Sequence, residues 1–121
     1  MKPLMILIAG PYRSGTGDDP VKMAANLARL EAAALPLFAK GHVPMIGEWV
    51  ALPIWAALGG RVVGDAAYQA ILHPVAGRLL AHCDGVLRLP GASAGADNDV
   101  RIARERGLAV WFALDEVPGA A

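Results

Sequence analysis

Residues 4–17 read LMILIAGPYRSGTG. Six apolar residues run, without a polar break, into a turn holding three glycines, a proline, a tyrosine and an arginine. A strand that is apolar on both faces is covered on both faces. That describes the centre of a parallel sheet with helices packed above and below it. The turn that follows has the composition of a loop that brings backbone close to something else.

Downstream, the pattern alternates. Asp19-Pro20 reads as an N-cap and a first-turn proline. Leu27, Leu30, Ala34 and Phe38 recur at spacings of three and four, so one amphipathic helix is expected over residues 20–40, with Pro36 kinking its last turn and Gly41 ending it. Residues 42–46 form a second strand. Residues 47–63, broken by Pro53 and Gly59-Gly60, read as a short helix and a loop. Asp65 caps a helix towards His73, and Pro74 restarts or kinks it before Ala81. Residues 84–89 are a third strand, residues 90–95 a second small-residue loop, residues 96–106 a helix and residues 108–112 a fourth strand. The tail from Asp115 reads as a turn and a loose end. This order predicts a single α/β domain over residues 1–121, with a parallel sheet and helices on both faces. Both small-residue loops follow strands, so they share one edge of the sheet, where such folds bind ligands.

Composition narrows the partners. The chain has 121 residues, is 55% hydrophobic and balances 11 basic against 11 acidic residues. With no basic tract, duplex nucleic acid is excluded as a partner, whereas a small phosphorylated ligand needs only a local site. The single cysteine, Cys83, rules out a disulfide framework and fits a reducing cytoplasm. It reads first as a small buried apolar residue. No apolar run is long enough for a membrane span. The three histidines show no metal-site spacing, and no metal or redox cofactor is expected.

In the first loop, Gly10, Gly15 and Gly17 permit positive φ and close backbone approach, Arg13 suits a phosphate, and Tyr12 suits a base or a hydroxyl contact. The ending is not that of a P-loop. In the second loop, residues 89–99, LPGASAGADND, Ser93 is a helix cap or a phosphate contact. Asp97 and Asp99 open the helix. A carboxylate at Asp99 acts as a nucleophile or stabilises an oxocarbenium-like carbon, or merely complements the helix dipole. Glu48 and Asp65 are further carboxylates with a route to the cleft. Trp49 and Trp55 suit a base pocket, the core or a subunit contact.

The two loops together resemble the nucleoside 2-deoxyribosyltransferase superfamily. The residues that carry the likeness are residues 8–15 (IAGPYRSG), Asn26, residues 41–44 (GHVP), Cys83-Asp84 and residues 89–96 (LPGASAGA) with an acid three residues on. The chain is most similar to a small branch, the DUF4406 domain, over about residues 4–112. The resemblance implies a flavodoxin- or Rossmann-like three-layer sandwich with a parallel sheet of four or five strands, and a homodimer or larger assembly. It implies cleavage of the N-glycosidic bond of a nucleoside or its 5′-monophosphate through a carboxylate in the helix after the third strand. Asp99 stands where the family has a glutamate, with Asp97 as substitute and Tyr12 assisting. Gly10, Arg13, Ser14, Ser93, Gly95 and Ala96, with Glu48, are the substrate or phosphate contacts. Asp65 is the nearest match to the aspartate that the hydrolases carry before the third strand. A nucleotide-binding module without turnover is the alternative, and a purely structural role is the third reading.

Overall fold

The computed structural model describes residues 1–120. Four strands, β1 (Met5–Ala9), β2 (Val43–Met45), β3 (Gly85–Arg88) and β4 (Ala109–Trp111), form one sheet in the order β2-β1-β3-β4. All three pairings are parallel, with Ile6 opposite Pro44 on one side and Gly85 on the other. The doubly covered strand is therefore at the centre. Pro44, which has no N–H to give, sits on the edge strand, where it is tolerated.

Alternate residues of β1 feed two cores. Ile6 and Ile8 pack with Leu30, Leu37, Ile46, Leu87 and Val117 beneath α1 (Pro20–Glu31) and α2 (Ala34–Ala39). Leu7 and Ala9 pack with Leu80, Cys83, Val86, Ala96, Val100 and Ala103 beneath α4 (Ala66–Leu80) and α5 (Ala94–Glu105). The helix α3 (Gly47–Ala57) leaves the end of β2 and lies against α4. The result is a three-layer, Rossmann- or flavodoxin-like sandwich with a four-stranded sheet; the alternation of elements predicts the parallel sheet with helices on both faces, and the resemblance implies the fold type.

Three expectations need correction. Residues 20–40 form two helices. The Pro36 ring excludes a helical bond to the carbonyl of Ala32, which becomes the C-cap of α1. Pro36 itself falls in the first turn of α2, where its missing N–H is not required. Of the two readings of Pro74 the restart falls, because α4 runs through it as one element. The tail is not loose. Val117 is buried, Lys40 Nζ donates to its carbonyl at 3.0 Å, and Ala120 N donates to Lys40 O at 2.8 Å. His42, also buried, accepts from Leu4 N at Nδ1 and bonds the Pro118 carbonyl through Nε2. Among the described residues no helix is long and apolar enough to cross a membrane.

Candidate functional site

The chain steps from β1 outward to β2, then back across to β3 on the other side. The crevice of such a sheet opens at that reversal, beyond the carboxyl ends of β1 and β3. Both small-residue loops meet there. A Cβ on Gly91, whose φ is +114°, would lie 2.7 Å from Pro11 Cγ. Gly10 does not have positive φ. It is needed for close approach, since a Cβ there would lie 2.8 Å from Leu30 Cδ2 in the core.

The first loop is braced from within. Asn26 of α1 donates to Tyr12 O at 2.9 Å, and the buried Thr16 hydroxyl donates to Arg13 O while accepting from Asp18 N. Arg13 holds Asp18 in a two-point pair, Nε to Oδ1 at 2.7 Å and Nη2 to Oδ2 at 3.3 Å. Asp18 has φ +61°, a strained value for a non-glycine residue, which the pair helps to fix. The Arg13 guanidinium also lies over Gly64, where a Cβ would approach Cζ to 2.4 Å. The arginine expected to meet a phosphate is thus tied to its own loop and to the turn before α4.

Between the loops, α3 and α4 lies a cavity of about 220 Å³. Its α4 wall is mostly apolar, with Leu72, Val75, Ala76 and Leu79. Its other walls carry Tyr12, Arg13, Ser14, Glu48, Ser93 and Asp99, together with Gly10, Gly95 and Ala96. One mainly apolar side and one polar side suit a ligand that is itself half apolar and half hydroxylated. Nine of the ten site residues expected from the sequence therefore meet in one space.

The tenth, Asp97, does not line this cavity. Its side chain is 74% exposed and accepts from Arg88 Nη2 at 2.9 Å. The helix explains the split, because two residues turn the side chain by about 200°. Asp65 is also elsewhere. It caps α4 and accepts from Tyr68 N, Trp55 Nε1, Arg61 N and Val62 N. These donors hold its carboxyl well below the usual range. Trp55 is committed to that cap, and Trp49 donates to Glu31 at 2.9 Å, so neither tryptophan lines the cavity. Cys83 is buried, and burial pushes its thiol up to about 11, which is the inert reading.

Asp99 is different. Among the described residues it accepts no hydrogen bond. Burial, with the Glu48 charge adding, pushes its carboxyl up to about 7, against a downward pull from Arg88. Burial also raises Glu48, offset in part by its own backbone amide. Burial raises Tyr12, with Glu48 adding, and pushes Tyr68 up to about 12. Two carboxyls with few donors in one pocket are the arrangement that separates an acid from a base.

Tyr68, His73 and Asn98 also line the cavity and were not expected from the sequence. Tyr68 was findable. With Leu72, Val75, Ala76 and Leu79 it repeats at helical spacing, one stripe of α4 facing the loops. Among the described residues no group of three or more His, Cys, Asp or Glu side chains could hold a metal ion.

Comparison with protein-family models, with curated proteins and with solved structures gave no match. Fold and site by themselves define a parallel α/β protein with a ligand-sized pocket, two carboxyls inside it, at the point where strand order reverses.

Proposed function

We propose that the chain is an N-glycosidase, a hydrolase or deoxyribosyltransferase, acting on a nucleoside or nucleoside 5′-monophosphate, with Asp99 as its working carboxylate. The observation that carries this reading is the Asp99–Glu48 pair in a half-apolar pocket between the two loops. The Glu48 charge adds to burial in raising Asp99, so up to about 7 the proton stands on Asp99. Breaking a C1′–N bond needs both forms. A protonated carboxyl gives its proton to the departing base nitrogen, which keeps the bond's electron pair. A carboxylate faces the positive charge that grows at C1′. We assign the second part to Asp99, beside the Ser93–Ala96 turn, once its proton has passed to Glu48, which then performs the first. Water or an acceptor base then takes C1′, and the proton it sheds returns to the pair.

The α4 stripe from Tyr68 to Leu79 supports a flat base on that side. Ser14, Ser93 and the small residues Gly10 and Gly95 suit sugar hydroxyls or a phosphate on the other. A chromatographic assay for free base over a panel of nucleosides and 5′-monophosphates tests the reading, with Asp99→Ala and Asp97→Ala side by side. Base released by the parent and by Asp97→Ala, but not by Asp99→Ala, supports it. Release undiminished in Asp99→Ala removes Asp99 from the mechanism.

One observation favours the second reading, a nucleotide-binding module without turnover. Aspartate is one methylene shorter than the glutamate of the resembling family, about 1.5 Å at the oxygen, and a misplacement of that size costs on the order of a hundredfold in rate. A melting shift with a nucleotide and no release of base is its result. The assembly implied by the resemblance has a candidate surface on α3, where Trp49, Ile54 and Leu58 are exposed. Light scattering of the parent and of Ile54→Asp tests it.

A further inference from the structure

A groove open to solvent runs on the far side of the two loops from the carboxyl pocket. It is bounded by the loops and by Lys22, Asn26 and Arg29 of α1. Ser14 and Ser93 line both spaces, so pocket and groove join at two hydroxyl side chains.

The two spaces differ in charge. The pocket holds Glu48 and Asp99, and its one arginine is already paired with Asp18. The groove is lined by two cations and no carboxylate. Lys22 and Arg29 make no ion pair among the described residues, and the one bond of the Arg29 head goes to the neutral Asn26. Lys22, Asn26 and Arg29 stand at i, i+4 and i+7, so they share one face of α1 over about 10 Å. An anionic group leaving the pocket is driven by the carboxylates and drawn by this face in the same direction, past Ser14 and Ser93. The span exceeds what one phosphate at the junction needs.

We propose that the groove takes a second phosphate, so that the ligand class of this site is a nucleotide carrying a pyrophosphate group. The first phosphate stands at the Ser14–Ser93 junction and the second between Lys22 and Arg29. The proposal rests on the nucleotide reading of the pocket.

Titration calorimetry with the full chain tests it. The probes are the 5′-mono- and 5′-diphosphates of adenosine, guanosine, cytidine, uridine and thymidine, with inorganic phosphate and pyrophosphate. The expected result is a diphosphate that binds about tenfold tighter than the monophosphate of the same base. The gain disappears in Lys22→Ala/Arg29→Gln and survives in Lys22→Arg/Arg29→Lys. Both positions are exposed on α1, so folding is retained, and a melting curve checks it. Equal affinity for mono- and diphosphate overturns the proposal while leaving the pocket reading intact. A diphosphate gain that survives the double neutral variant also overturns it. Binding of pyrophosphate that depends on Lys22 and Arg29, with no preference for any nucleotide over it, keeps the groove as an anion site and removes the nucleotide reading. No binding of any probe overturns both.

Discussion

The start of α4 and the first turns of α5 each carry aspartate, and the two regions treat it in opposite ways. Asp65 meets four donors, three of them backbone amides, and stays ionised. Asp99 meets none among the described residues, and keeps its proton up to about 7. Asp65 is the N-cap of its helix, whereas Asp99 lies beyond the first turn of its own, so the dipole favours the Asp65 charge in the same direction as its donors. What also separates them is whether the chain folds donors around the carboxylate. A capped aspartate is spent on structure. An aspartate buried without donors holds free energy that only a ligand or a proton can release.

The sharpest way to break this contrast is Asp99→Ala. It is expected to lower base release by about a thousandfold with the fold intact, read by single-turnover chromatography and circular dichroism. The contrast fails if turnover survives.

A second experiment uses pH. In the folded chain the Asp99 carboxyl holds its proton up to about 7, whereas unfolded it loses it near the ordinary value of about 4. Between those limits folding takes up a proton, so stability falls as pH rises and levels off above the folded value. Asp99→Asn, which has no proton to lose, is expected to match the parent near pH 3, below both values. At pH 8 it is expected to exceed the parent by on the order of a few kcal/mol. Urea unfolding at both pH values reads this. Equal stability at pH 8 would mean that Asp99 is solvated after all.

Asp65→Asn comes next. It removes acceptor capacity from a cap that joins Trp55, Arg61, Val62 and Tyr68, so a drop in Tm of roughly several degrees is expected, with base release per folded molecule little changed. A large loss of kcat at unchanged Tm would place Asp65 in the chemistry. The smallest effect is expected from Asp97→Asn. This residue is in the same helix as Asp99 but on an exposed ion pair, and turnover should stay within about threefold of the parent.

The sequence carried the fold because its signals were strong and local. Residues 4–9 are apolar throughout, and β1 and β3 are each followed by a loop of glycine and small residues. Where local reading failed, a longer-range contact decided. Pro74 is accepted inside α4 because the helix is held by α3 and α5. The tail is held by Lys40 and His42, partners far off in sequence. The site was legible as two loops, and Asp99 as one of two candidate acids. That Asp97 turns away follows from helix geometry alone. That Arg13 is occupied by Asp18 does not, since it depends on a strained backbone angle at Asp18 that no residue pattern announces. Tyr68 was written in the α4 stripe, but a tyrosine among leucines and alanines reads as core until the loops opposite are known.

The sheet order also fixes a sequence of events in time. The most apolar strand, Met5–Ala9, leaves the ribosome first, yet its neighbours in the sheet are Val43–Met45 and Gly85–Arg88. A parallel strand cannot be satisfied by a hairpin with the next few residues. Until β3 and α5 are made, β1 has one open edge and one incompletely covered face, a state prone to association with other chains. Slow translation upstream of residue 85 or high expression temperature should therefore divert this protein into aggregates, whereas the same chain refolded at high dilution escapes them.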